Sequence, residues 1–181
     1  MGSVRMSRFL PLQVAAVCYR RRASSLEFLL VNTTGGDKWT FPKGSTGRRL
    51  SHSQAAEREA LEEAGAVGVI ESEHFHLYLQ PKGDSTNGDS VQEFVVKAFL
   101  LEVKQTQPPQ ESKRNPTWFS VDDARSTLAR GRQAKYATEL RTVVDHAVEH
   151  LSAEEVFSVN PMRPHRIWRF LLRMLRLVVP A

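Results

Sequence analysis

Cysteine is almost absent from this sequence. Cys18 is the only one in 181 residues, so neither an intrachain disulfide nor a cysteine-built zinc site can form, which agrees with a reducing compartment without demonstrating one. Lying in an apolar run, Cys18 reads as a buried strand residue. The N-terminal stretch lacks a long apolar segment with a small-residue cleavage pattern, and Met6 stands where a myristoylation signal after Gly2 would need serine or threonine. A cytoplasmic protein is expected. There is no Gly-x4-Gly-Lys-Ser/Thr run, which excludes a P-loop phosphate cradle, and no internal repeat. What remains is an ordinary globular composition, 41% apolar and 25% charged, with a net charge of +5 concentrated in short basic runs. Such a balance suits one domain with tails and a polyanionic partner in preference to a cationic one.

Leu12–Tyr19 is an apolar run that predicts a buried strand, and Leu26–Val31 predicts a second, antiparallel to it. After the Thr33–Asp37 turn, Lys38–Phe41 predicts a short strand stopped by Pro42 and Gly44, followed by a loop to Leu50. Ser51 with Gln54 matches a capping box, and His52–Ala64 is rich in alanine, leucine and glutamate with Gly65 as its stop. That is the clearest helix in the chain. His74–Gln80 and Val91–Val103 read as a long hairpin around a turn at Gly83–Asp89, and Gln105–Asn115 as a flexible connection. Trp118-Phe119 ends a short strand, Ser120 caps a helix from Val121, and Ala134–Leu151 has helical spacing of Tyr136, Leu140, Val143, Val144 and Ala147. This order predicts an α+β sandwich with a mixed sheet between helices.

Chemistry is concentrated in Arg58-Glu59-Ala60-Leu61-Glu62-Glu63-Ala64-Gly65-Ala66. At roughly 100° per residue, Glu59, Glu62 and Glu63 fall within an arc of about 100° on one helix face. A solvated acidic face is the ordinary explanation of such a helix. Here, however, the helix is entered from Phe41-Pro42-Lys43-Gly44 and a loop carrying Arg48 and Arg49. Acidic oxygens of this density suit magnesium, with manganese an alternative, and the neighbouring cations suit phosphate. A metal-phosphate site accounts for both.

Gly44 and the block Arg58–Ala66 resemble the Nudix pattern at its spacing without insertion, and the similarity extends over about residues 10–150. The resemblance implies a Nudix-type α/β/α sandwich and magnesium-dependent hydrolysis of a diphosphate bond in a phosphorylated small molecule. It also implies that Glu59, Glu62 and Glu63 hold the metal, that Arg58 orients Glu59, and that Gly44 lets the loop backbone approach. Water activation falls to Glu62 or Glu63, or to a loop base, for which Glu93 and Glu111 are candidates. Lys43, Arg48 and Arg49 are candidate phosphate clamps, and Trp39 is a candidate stacking residue. Leu50 stands where the pattern has its first glutamate, which bears on loop geometry and rate before metal binding. It also motivates an alternative, a Nudix-fold module that binds ligand without cleaving it. Trp39–Gly44 looks like the diadenosine polyphosphate hydrolases, and Lys113-Arg114 through Trp118–Ala124 like the diphosphoinositol polyphosphate phosphohydrolases. A dinucleoside polyphosphate is the expected substrate, and no nucleic-acid partner is expected.

The expected organisation is a tail over residues 1–9, the catalytic domain over 10–155, and a linker with a basic amphipathic helix over 156–181. In that last segment Arg166, Arg169, Arg173 and Arg176 make one stripe of about 80° beside a broad apolar face too short to span a bilayer. Residues 166–179 are therefore expected to dock on the domain itself or on a second subunit, ahead of an anionic membrane surface.

Overall fold

The computed structural model describes residues 10–22, 25–81 and 93–159, with side chains of the last helix as far as Ala153. Its elements in chain order are β1 (Leu12–Arg22), β2 (Ser25–Asn32), β3 (Trp39–Thr40), β4 (Lys43–Ser45), α1 (His52–Ala64), β5 (Ala66–Ile70), β6 (His76–Pro81) and β7 (Glu93–Thr106). A 3-10 turn (Ser112–Arg114), β8 (Thr117–Ser120), α2 (Val121–Ala129) and α3 (Ala134–Val159) complete it. By its contacts the chain divides between residues 148 and 149, within α3, and everything below belongs to the part preceding that point. The basic helix expected over 166–179 and the turn expected at Gly83–Asp89 lie outside the described residues.

The sheet is mixed. Along its main path the order is β3-β2-β1-β7-β5, with β4 on β1, β6 on β7 and β8 on β2. Only β1 and β7 run parallel, from Leu12 beside Val95 to Tyr19 beside Glu102, and they form the centre. β1 changes neighbour along its length: Tyr19–Arg22 pair with β2, whereas Gln13–Ala15 pair with β4. β7 does the same on its other side, carrying β6 along Glu93–Ala98 and β5 along Leu101–Thr106. The two predicted antiparallel pairings, β1 with β2 and β6 with β7, are both present.

Alternation along these strands supplies two buried faces. One is a cluster of Val14, Ala16, Cys18, Leu29, Val31, Phe99 and Leu101 packed with Ala55, Ala56, Ala60 and Ala64 of α1. The alanines present little bulk, and from this helix Glu59 reaches Gly44 and Glu63 the Lys43 N–H of β4. Burial pushes the Cys18 thiol up, keeping it neutral as the apolar residue it was expected to be. On the other face Ala15, Val17, Phe28, Leu30, Val96 and Leu100 are buried, as are Leu128 of α2 and Leu140, Val143 and Val144 of α3.

Two strands and one turn were not legible in the sequence. β4 is three residues long and was read as loop. β5 contains Gly68 at a bulge in its pairing with β7, and glycine is a poor strand former. The stretch expected to be a flexible connection is instead tied down: Gln107 N–H donates to Gly65 O at 2.8 Å and Glu111 N–H to Glu62 O at 3.0 Å.

α3 is fastened along β6. Glu139 accepts the Leu79 N–H at 2.8 Å, and the Nδ1 atoms of His76 and His146 are 2.9 Å apart. Burial, then the facing His146, hold His76 below its ordinary value of 6.5, against the pull of Glu139. A depressed folded-state value means that the unfolded chain takes up its proton first as pH falls. The contribution of His76 to stability is therefore complete above about pH 6.5 and is lost as the pH falls through the lower folded-state value. His76→Gln should consequently lose less stability than the wild type between pH 8 and pH 5, measured as the change in urea midpoint; parallel losses in the two proteins would contradict this.

Candidate active site

The site is built on the last turn of α1. Ser51 caps the helix in the predicted capping box, its hydroxyl accepting from Gln54 N–H at 3.1 Å while the Gln54 side chain accepts from Ser51 N–H at 2.9 Å. At the other end Gly65 adopts the left-handed conformation at φ 62°. A Cβ there would lie 1.9 Å from the Gln107 carbonyl oxygen, so only glycine permits both the helix stop and the close passage of the following segment.

Glu59 and Glu63 are buried, at 8% and 3% exposure, while Glu62 is half-exposed. The Glu59 carboxylate rests on the α-carbon of Gly44, where an added Cβ would come within 2.4 Å of its oxygens. Arg58 bonds it through Nη2 at 2.6 Å and reaches the Ser45 carbonyl at 3.3 Å, fastening the helix to β4. Its Nε lies 3.7 Å from Glu62 and is buried without a hydrogen-bond acceptor. Glu63 accepts the Lys43 backbone N–H at 3.0 Å and pairs with Arg114 Nη2 at 2.6 Å. The same guanidinium bonds Glu111 through Nε at 2.6 Å and the Asn32 carbonyl through Nη1 at 3.2 Å. Among the described residues no three His, Cys, Asp or Glu side chains are gathered as a ready-made metal cage, and Glu59 and Glu63 are each paired with a guanidinium.

Glu63 opens into a cavity of about 610 Å³ whose lining includes Lys38, Lys43, Arg114, Arg132 and Tyr136. Arg132 is positioned by the Leu128 and Trp39 carbonyls at 2.6 and 2.5 Å. Burial pushes the Glu63 carboxyl up to about 7, against the pull of Arg114 and of the Lys43 N–H. Burial likewise holds the Lys43 ammonium down; Glu63 opposes this, and the Arg114 and Arg132 charges reinforce it. Desolvation thus drives both members of this lysine–glutamate neighbourhood toward neutrality. An anion in the cavity would favour the charged form of Lys43, and a cation at the helix would favour that of Glu63.

Of the residues expected from the sequence, Lys43, Gly44, Arg58, Glu59 and Glu63 converge here. Arg48 and Arg49 are exposed on the loop before α1 and do not line the cavity. Trp39 packs edge-on against Phe119 with ring centroids 5.1 Å apart, so its carbonyl rather than its ring serves the site. Glu93 accepts from Lys135 at 2.6 Å and from Tyr136 at 2.9 Å, whereas Glu111 adjoins the site through Arg114. Sequence reasoning missed Lys38, Arg114 and Arg132 as site residues. Arg114 belongs to the quoted Lys113-Arg114…Trp118 run, but Arg132 follows α2 in a stretch with no motif.

The contact of Gly44 with Glu59 makes a specific prediction. Gly44→Ala should cost about 1–3 kcal/mol, the range for disturbing a buried hydrogen-bonded polar group, read from the denaturant midpoint. The same substitution in a Glu59→Ala background should cost much less, because the colliding carboxylate is gone. Equal costs in both backgrounds would show that the contact does not matter.

The NUDIX domain pattern matches residues 11–140. Nudix hydrolase 18, mitochondrial, of Arabidopsis thaliana is 31% identical over 121 residues, covering 62% of this chain and 65% of its own. Nudix hydrolase 4 of the same plant is 31% identical over 100 residues, covering 55% and 46%. The chain therefore spans about half to two thirds of the length of these relatives. Among solved structures, a C. elegans Ap4A hydrolase binary complex superposes with a TM-score of 0.57 at 21% identity, over 80% of this chain and 99% of that one. The NUDIX domain of Shewanella oneidensis NrtR complexed with ADP ribose gives 0.57 at 20% identity, over 80% and 90%. At such identities these two likenesses concern the fold. With the glutamate-rich helix, its glycine-bearing approach and the mixed sheet all in place, the chain belongs to the NUDIX family.

Proposed function

We propose that the protein hydrolyses a diphosphate bond in a multiply phosphorylated small molecule, using a divalent cation, magnesium in the first instance. The observation that carries this reading is that Glu63 belongs at once to the acidic end of α1 and to a cavity lined by Lys38, Lys43, Arg114 and Arg132. The donor chemistry fits a hard cation: three carboxylates on one helix face, two of them buried and now neutralised by guanidinium groups, with Gly44 leaving the Glu59 carboxylate open to the loop backbone. Glu59, Glu62 and Glu63 would hold it. When bound, a divalent ion neutralises charge on diphosphate oxygens and makes a coordinated water more acidic.

The chain's own residues then have separable tasks. Lys43 and Arg132, the latter held by the Leu128 and Trp39 carbonyls, orient the phosphates, and Arg58 keeps Glu59 directed at β4. Phosphoryl chemistry of this type demands positioning and electrostatic stabilisation more than covalent participation. Glu62, Glu63, Glu93 and Glu111 remain as candidate bases for the attacking water: Glu63 and Glu111 are both engaged by Arg114, and Glu93 by Lys135 and Tyr136. Four cationic side chains against one aromatic ring in the lining support recognition of a polyphosphate chain ahead of a stacked base. A dinucleoside polyphosphate heads the substrate panel, as expected from Trp39–Gly44 and in keeping with the fold of the C. elegans Ap4A hydrolase, and a polyphosphorylated polyol belongs beside it.

A second reading, a ligand-binding module without turnover, is favoured by two observations: Leu50 is exposed on the loop, and both buried glutamates are already ion-paired. Incubation of the pure protein with magnesium and the panel separates the readings, since the module releases no phosphate-bearing product. Under the leading one, Glu62→Gln and Glu63→Gln should each lower kcat by about 10²-fold or more while retaining a cooperative thermal transition. Undiminished turnover in both variants would remove it.

A further inference from the structure

Arg114 holds an unusual place among the basic residues of the cavity. Its guanidinium spends every nitrogen on the chain: Nη2 on Glu63, Nε on Glu111 and Nη1 on the Asn32 carbonyl. It also lines the cavity beside Lys43 and Arg132. Arg58, the other arginine that pairs with a buried glutamate, is bonded to Ser45 O across the helix–strand junction and is absent from that lining. Both arginines tie segments of the chain together, but only the Arg114–Glu63 pair also faces the space where ligand would enter.

We propose that Arg114 is an internal counter-ion that holds Glu63 while the helix carries no metal and yields it when a phosphate group draws the guanidinium into the cavity. This rests on the reading of Glu63 as a metal-binding residue given above. A planar guanidinium pairs with phosphate oxygens as readily as with a carboxylate, through two parallel hydrogen bonds. Its withdrawal from Glu63 frees carboxylate oxygens that a divalent ion can take as ligands. Conversely, a divalent ion at Glu63 repels the guanidinium toward an incoming anion. By linkage the two ligands must strengthen each other equally. The backbone need not move: the turn bearing Arg114 stays docked through the Glu111 N–H on Glu62 O at 3.0 Å, and Asn115, at φ 48°, ends it immediately beyond.

The test measures Mn²⁺ affinity directly, from the electron paramagnetic resonance of the free ion, on the full chain with and without sulfate, a tetrahedral dianion that binds Mn²⁺ weakly in water. Arg114→Gln keeps a hydrogen-bond donor without the charge, and Arg114→Ala serves as a second variant should the first not fold. Without sulfate the variant should bind Mn²⁺ at least about fivefold more tightly than the wild type, the lower end of ordinary coupling strengths. Sulfate should tighten Mn²⁺ binding to the wild type and leave the variant nearly unchanged. Arg132→Ala, which removes an equal charge from the same cavity, should shift the affinity by less than about twofold on the same scale. Unchanged or weaker Mn²⁺ binding by the Arg114 variants would overturn the proposal, as would an equal gain in Arg132→Ala, which would indicate a general field. If the wild type neither binds Mn²⁺ nor turns over any substrate, the functional reading itself has failed; if it does both and the variants gain nothing, only the counter-ion role has.

Discussion

The Glu63 carboxylate is buried where three parts of the chain meet. It belongs to α1, it takes a hydrogen bond from the backbone of β4 through Lys43, and it is paired with an arginine brought by the segment after β7. A carboxylate taken out of water this far stays only where several donors converge on it, so its position constrains all three segments at once. The geometry behind that convergence is simple. β1 leaves β2 for β4 toward its N-terminal end, which opens the sheet beside the helix. Gly65 turns the chain so that the return from β7 passes under the helix end.

Much of this was legible because it depends on local chemistry. The boundaries of α1 follow from Ser51, Gln54 and Gly65, whose side chains or lack of one act on the helix they delimit. The carboxylate face follows from helical period alone. The strands β1, β2, β6 and β7 declared themselves through apolar runs, and their pairing followed from the turns between them. The parts that escaped depend on distant partners. β4 is a strand only because β1 offers it an edge, and β5 only because β7 is long enough to carry a second neighbour. Arg114 and Arg132 acquire meaning from residues 51 and 93 positions away in the sequence, and no spacing rule connects them. The Arg48 and Arg49 pair shows the converse, since a basic run in a loop next to a motif is free to face solvent.

The electrostatic design follows from placing cations and carboxylates in one desolvated volume. Neither kind of group is comfortable there alone: burial works against the charge of Lys43 and against that of Glu63. Ion pairing inside the site, Arg58 with Glu59 and Arg114 with Glu63, offsets part of this cost. On the proposed reading, the protein thereby carries its own substitutes for the cation and for the phosphate. A site of this kind is preorganised in shape without being preloaded with unpaired charge, and its occupants must compete with contacts the chain already makes.

The Glu139 carboxylate on the Leu79 amide has a bearing beyond fastening α3. An edge strand normally presents a row of backbone groups to which a foreign strand can add, and a negative charge lodged on one such amide is a poor welcome for another backbone carbonyl. The same margin of the sheet continues into β5, where Val67 and Val69 are exposed and the bulge at Gly68 breaks the regular ladder. Among the described residues, a blocked amide at one end and an irregular register at the other interrupt this border as a template for intermolecular β-addition.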